Sequence, residues 1–279
     1  MKMRYIAACL LFFVAFSAHS GLVDPGVDGN EFSAKIELGG VSADLTIRFE
    51  NVVGLTVDSL GVSVQQVDPL DLNLLSRLPS SLDTSIGGVP SSFPVLVRVE
   101  PPVDGGLSFE GVVNVELYTQ NLQYTIGTPF RIFTAPTGAG TFRDVTEHVS
   151  GGSYRTRSGG THFSDFLILV ETRSTDTVVA EKFDRLDQVL DHYQSDLDAA
   201  LYSQLVNLAG DAYSAWDSGD SATAILRIDD FRKIVRTAAA AGTIPNVWRS
   251  ARDLENIDGA LRSTARTLRF SLTQSVNLL

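Results

Sequence analysis

The window GTFRDVTEHVSGGSYRTRSGGTHFSDFLILVE, residues 140–171, gathers His148, His162, Ser153, Ser164, Asp144, Asp165 and Glu147. These are the types a serine hydrolase uses, because a hydroxyl becomes a nucleophile only with a base in hydrogen-bond reach and a third group orienting that base. The spacing argues against such a site. "GGSYR" lacks the second glycine of a strand-to-helix nucleophile turn, and His162, Ser164 and Asp165 lie too close along one run to converge on a point. The alternation instead puts His162 and Ser164 on one face of an extended segment. The window is therefore expected to form two or three paired strands, anchored by Phe142, Val145, Phe163 and Phe166. Asp144 and Thr146 are expected to hydrogen-bond within a turn or to a neighbouring strand.

Metal and cofactor chemistry find no better footing. "DPGVDGNEFSAK" places Asp24, Asp28, Gly29 and Asn30 in a partial calcium-loop order, but Gly26 and Lys35 occupy ligand positions three and twelve. That stretch is expected to be a flexible segment. His148, His162 and His192 fall on different elements without zinc spacing. No cofactor is expected. Rings are a third possibility, since Tyr118, Tyr124, Phe130, Phe133, Phe142, Tyr154, Phe163 and Phe166 crowd a short span and exposed rings can stack on sugars. Parity assigns most of them to a core. Tyr118 and Tyr124 remain as candidate ligand-binding residues.

Two kinds of periodicity would position these residues. From about Phe32 to Arg173 apolar and polar residues alternate in short runs broken by Gly, Pro, Asp and Ser. Strands are predicted near 31–38, 43–50, 61–67, 94–100, 110–118, 130–134, 142–148, 153–157 and 163–172. Some nine antiparallel strands imply a sandwich, since a single sheet would leave an apolar face wet. A short helix is expected over 69–77, capped by Asp68 and opened by Pro69.

After "RSTDTVV" the period becomes helical. One stripe runs Phe183, Leu186, Leu190 and Tyr193, and a second runs from Leu197 to Trp216. A third runs from Ile225 to Ala238, with Ser221 as its cap and Gly242 as its end. A fourth helix is expected from "TIPNVW", carrying Trp248, Ala251, Leu254, Ile257, Leu261, Ala265 and Leu268. The fold class is thus α+β with separate domains: an antiparallel β-sandwich at 21–175 and a four-helix up-and-down bundle at 176–279. Residues 176–220 carry ten acids against two bases and 221–279 five against nine, which suits acidic helices packed beside basic ones.

The opening MKMRYIAACLLFFVAFSAHS has the form of a Sec signal peptide, residues 1–20. Lys2 and Arg4 precede an apolar run too short to span a bilayer, and Ala18 and Ser20 suit cleavage before Gly21. The chain's single cysteine, Cys9, would leave with it, excluding disulfides and thiolate chemistry from the mature protein. Loss of Lys2 and Arg4 would take the net charge from −11 to −13. So acidic a chain is a poor ligand for phosphate backbones, and nucleic acid is not an expected partner. Nor is integral membrane insertion expected after cleavage.

"FRDVTEHVSGGSYRTRSGGTHFSDFLILV" resembles the end of the ZU5-like sandwich class. Phe142, Asp144, Val145 and Thr146 match its first element, and Phe163, Ser164 and Phe166 its second. "VDPLDLNLLSRLP", "FPVLVRVEPP" and "GGLSFEG" are similar to segments of an uncharacterised exported proteobacterial family. "LYSQLVNLAGDAYSAWDSGDSATAILRIDDFRKIV" with "SARDLENIDGAL" resembles the helical FIMAH appendage, through Gly219, Asp220, Ala222, Leu226 and Phe231, with Trp216 and Trp248 as departures. The resemblance implies a periplasmic or extracellular protein. The expected function is a non-enzymatic binding or envelope-structural role toward an envelope or extracellular protein or glycan. Polysaccharide binding, or an accessory role to a secreted hydrolase, is the alternative.

Overall fold

A computed structural model describes residues 21–83, 88–161 and 163–277; the expected leader and His162 lie outside the described residues. Among the described residues twelve strands form two antiparallel sheets. The first contains β1 (Leu22–Asp28), β2 (Glu31–Leu38), β3 (Val41–Val53), β6 (Ser108–Thr119), β9 (Thr146–Ser150), β10 (Tyr154–Gly160) and β12 (Val247–Arg249). Its order is β1-β2-β3-β6-β10-β9, with β12 also paired to β6. The second has the order β4-β5-β11-β7-β8, built from β4 (Val62–Gln66), β5 (Val95–Val99), β7 (Phe130–Ala135), β8 (Arg143–Asp144) and β11 (Asp165–Val170).

Alternation drives this pairing. In β2, Phe32, Ala34 and Ile36 are buried while Ser33, Lys35 and Glu37 are exposed, and β3 repeats the pattern with Ala43, Leu45 and Ile47. Gly39 and Gly40 form the two-residue hairpin between them, both at positive φ, where a Cβ would cost strain. Residues from both sheets share one core, including Leu45, Ile47, Val115, Val97, Ile132 and Ile168. The strands β5 and β11 are buried on both faces, so "FLILV" reads as a continuous apolar run. Their outer face, with Leu96 and Leu167 beside Phe133 of β7, lies under Leu74, Leu78 and Phe142.

Four long helices follow: α3 (Thr175–His192), α4 (Ala199–Asp217), α5 (Ser221–Ala240) and α6 (Ile257–Asn277). They share a second core around Leu186, Leu205, Phe231 and Leu261. Ser174, Asp198 and Asp220 cap the N-termini of α3, α4 and α5. The cap of α5 is Asp220, one residue before the expected Ser221. The helix α6 lies against β6, β9 and β10. Gly259 permits this, since a Cβ there would stand 2.5 Å from the Gly111 carbonyl oxygen. Asn256 then donates to that carbonyl at 2.6 Å, and Arg262 reaches Glu50 at 2.7 Å.

Three local expectations change. Residues 22–28 form an edge strand, not a flexible segment, and a bulge between Val23 and Gly26 absorbs Pro25, which cannot donate to a ladder. The short helix is Leu72–Leu75, labelled α2, because Asp71 caps it; Asp68 instead accepts from Leu70 N–H to close a preceding turn. A short helix absent from the expectation, α1 (Val57–Leu60), carries a Thr56–Ser59 capping box. The last helix starts at Ile257, not at "TIPNVW". Residues 247–249 pair with β6 at the positions β10 leaves open, and Trp248 packs into the shared sheet core against Phe109 at 5.2 Å and Phe163 at 5.1 Å.

Candidate functional site

Where β7, β8 and β10 approach α3 and α6, the layers leave a cavity of about 580 Å³. One stripe of α3 faces it, with Val178, Lys182, Arg185, Val189 and His192 at helical spacing. The core-facing stripe of the same helix holds Phe183, Leu186 and Leu190. From α6 come the small residues Ala260, Ser263, Thr264 and Thr267, again three and four apart; β10 adds Ser158, Gly159 and Gly160. Small side chains on both walls are what keep the space open.

The cavity is polar for a reason that can be read atom by atom. Lys182 Nζ lies 2.8 Å from an Asp144 carboxylate oxygen, both side chains being almost wholly buried, and it also donates to the Thr267 carbonyl at 3.3 Å. Burial pushes the Asp144 carboxyl up. The Lys182 charge and hydrogen bond, with the Thr146 side chain and N–H, outweigh it and hold Asp144 below the usual carboxylate range. Arg173 is paired with Glu171 at 2.6 Å and with Glu181. The hydroxyls of Ser158 and Thr267, buried on opposite walls, have no hydrogen-bond partner among the described residues. A hydroxyl taken from water without a partner costs on the order of 1–3 kcal/mol, so these two, whose oxygens are out of reach of solvent, weaken the packing around the cavity.

Arg143 and Arg185 also line the space, and neither has a carboxylate within ion-pair distance among the described residues. Arg143 is exposed over much of its length, yet the atoms packed about its guanidinium, and then the Arg185 charge, push it down to about 10, and it stays cationic at neutral pH.

The residues that suggested hydrolysis are placed apart. Asp165 is buried on β11 and engaged by Arg98 at 2.7 Å, Arg77 at 3.1 Å and the Gly138 N–H at 3.0 Å. Burial raises its carboxyl, but these bonds prevail and hold it low. It ties strand β5 to the segments that carry Arg77 and Gly138. Ser164 lines the cavity, whereas His148 is exposed on β9 and Ser153 sits in the β9–β10 turn. Glu147 is buried beneath α6, 2.8 Å from Arg266. Asp144 N-caps no helix; its Oδ1 accepts from Thr146 N–H at 2.8 Å, and Thr146 Oγ1 accepts from Ile132 N–H on β7, as the turn-and-strand reading expects. His192, at the cavity rim, lies 3.7 Å from Glu255.

Tyr118 and Tyr124 lie outside the cavity. Tyr118 is half-buried on β6, with the Arg155 guanidinium 4.7 Å from its ring centre. Tyr124 is half-buried and packs over Gly151. Among the described residues no group of three or more His, Cys, Asp or Glu could hold a metal ion, and no helix is long and apolar enough to cross a membrane.

The strand residues of the cavity were within the windows the sequence singled out, but Lys182, Arg185 and Thr267 were not. Their signal was a second stripe on each of α3 and α6, running beside the apolar one that packs between helices. A helix bearing two stripes touches two layers. Comparison with curated proteins finds no match. Residues 7–275 match a family of unknown function (DUF6689), and the chain belongs to that family.

Proposed function

We propose that the protein is an exported, non-enzymatic binding protein whose small-molecule ligand occupies the cavity between the sheets and α3–α6. The observation that carries this is a space of about 580 Å³ with a mixed lining, polar at Arg185, Ser164 and Thr264 and apolar at Val145, Phe166 and Val178. That volume lies within the range of small-molecule sites, which run from about 300 to 1,000 Å³. A nucleophile with a base in reach is not what the described residues assemble there. The two sheets act as a β-sandwich and the four long helices as an up-and-down bundle, with 21–175 and 176–279 as the halves that enclose the ligand, although residues 247–249 of the second half add a strand to the sheet of the first. The leader sequence supports a place in the periplasm or outside the cell, and an envelope or extracellular partner remains compatible with it.

Thr264, half-buried on the cavity side of α6, provides the test. A panel of sugars, organic acids and amphiphiles is screened by thermal shift on the full chain and on Thr264→Trp, whose indole intrudes on the space. A compound that raises the midpoint of the wild type and not of the variant supports the proposal. Equal shifts in both proteins for every active compound, or none in the wild type, refute it. N-terminal sequencing of the protein from its native envelope should begin at Gly21; retention of Met1 would refute export with cleavage.

A second reading is glycan binding through Tyr118 and Tyr124, or an accessory role beside a secreted hydrolase. It draws on their half-exposed rings and on the ZU5-like and FIMAH-like resemblances. The Arg155 guanidinium already covers one face of Tyr118, so a sugar would have to displace it or use the other face. Loss of polysaccharide retention in Tyr118→Ala and Tyr124→Ala, with the cavity intact, would favour that reading.

A further inference from the structure

We propose that Arg143 and Arg185 form an anion-binding anchor in the cavity, and that the ligand is a small organic anion whose acidic group they hold. The inference rests on the cavity-binding reading and names the chemistry of its occupant.

Two cationic side chains on different elements, β8 and α3, line one space, and neither is neutralised by a carboxylate among the described residues. The contrast with their neighbours matters. Along the same wall Lys182 has Asp144 and Arg173 has Glu171 and Glu181, so this protein pairs its cavity cations where pairing is structural. The nearest polar contact of Arg185 is Gln188 on its own helix, at 3.5 Å. The chain carries 33 acidic residues against 22 basic ones, yet among the described residues no acid forms an ion pair with these two. Two like charges held near each other are destabilising unless a third group neutralises them.

Guanidinium geometry narrows the class. Each fork offers two parallel N–H donors, the match for a carboxylate, phosphate or sulfate, and two forks can clamp one such group. The rest of the cavity specifies the body attached to it. Ser164 and Thr264 line it with hydroxyl-bearing side chains, while Val145, Phe166, Val178 and Val189 supply apolar surface. A compact acid with a polar, partly apolar body fits this lining, and an acidic monosaccharide is one example. Arg143 is exposed and Arg185 half-buried, so the anchor sits on the accessible side of the cavity.

The experiment is calorimetric titration and thermal shift of the full chain with glucuronate, inorganic phosphate and, as the neutral counterpart, glucose, at constant ionic strength in chloride. The proposal expects glucuronate to bind and glucose to bind at least tenfold more weakly. Arg143→Gln and Arg185→Gln should each weaken glucuronate at least tenfold, and the double variant should abolish binding. In the absence of any oxyanion these variants should unfold at the same temperature as the wild type or higher, because they relieve repulsion; a merely structural role would lower it. Glucuronate binding tighter than phosphate identifies an organic acid whose body uses the cavity, and phosphate alone identifies a free oxyanion, which overturns the organic part of the proposal. Anion binding that survives the double variant overturns the anchor. A neutral compound that Thr264→Trp excludes and the double variant still binds would leave the cavity reading standing and remove this one. Anion binding unaffected by Thr264→Trp, with no compound entering the cavity, would do the reverse.

Discussion

Replacing Lys182 with methionine isolates the contact on which one side of the cavity depends. The ammonium and the Asp144 carboxylate are 2.8 Å apart, with side chains 7 % and 3 % exposed. Without Lys182, Asp144 keeps the Thr146 N–H as its hydrogen bond. Leaving one member of a buried pair costs about 3–5 kcal/mol. Protonation limits that cost: a carboxyl of ordinary pKa near 3.9, kept neutral at pH 7, costs about 1.4 kcal/mol per unit, or about 4 kcal/mol in all. The penalty must then depend on pH. In the variant the folded-state pKa of Asp144 lies above the unfolded value, so stability is lost as pH rises from about 4 and is largely recovered as pH falls. Lys182→Met should therefore lose about 4 kcal/mol at pH 7 and about 1.5 kcal/mol at pH 5. Replacing both partners, as Lys182→Met with Asp144→Leu, should cost far less than Lys182→Met alone, because no charge is stranded. Urea unfolding of the full chain at the two pH values measures all of this. A loss below 1 kcal/mol at pH 7, or one indifferent to pH, would refute the buried-pair reasoning.

Other outcomes follow from features already described. Trp248→Ala should cost about 3–5 kcal/mol by emptying a site that two phenylalanine rings enclose, and Trp248→Phe clearly less; chemical denaturation that found the alanine variant within 1 kcal/mol of wild type would show the indole to be dispensable. Burial pushes the Glu147 carboxyl up to about 7, against the opposing charges of Arg266, Arg157, Arg232 and Lys182. Because that folded value lies above the unfolded one, near 4.3, the wild type should lose up to about 3 kcal/mol between pH 4.3 and 7, while Glu147→Gln should not; identical pH profiles for the two proteins would contradict it. Phe166→Ala should cost about 3–5 kcal/mol and Ser164→Ala under about 1 kcal/mol, compared by thermal and urea midpoints; a reversed order would mean the strand is held by its hydroxyl.

Much of the strand half was legible because its cause is local. The exposure pattern of residues 31–38 follows side-chain alternation alone, and "FLILV" announces a strand covered on both faces. The helical stripes after residue 175 were equally plain. What escaped shares another property: its meaning depends on a distant partner. Pro245 and the apolar residues after it look like a helix start until the open positions of β6 claim Val247–Arg249. Residues 22–28 look like a loose acidic turn until β2 supplies a ladder. The cavity could not be read from either half, since Arg143 and Arg185, or Asp144 and Lys182, meet only when two layers dock. The small residues of α6 have no helical reason to lie on one side; their reason is the space they leave.

The strand β12 has a consequence for the order of events during folding. Its partner positions on β6, Ser108 to Glu110, are made long before Val247 to Arg249 leave the ribosome. Until then the sheet core lacks Trp248, and the segment of β6 beyond β10 has an unpaired edge. Closing a loop of that length precedes any reward from the contact, which slows folding and lengthens the life of the open state. Such a chain stays incomplete while it is being made. The last strand to arrive is the one that locks the first-made sheet.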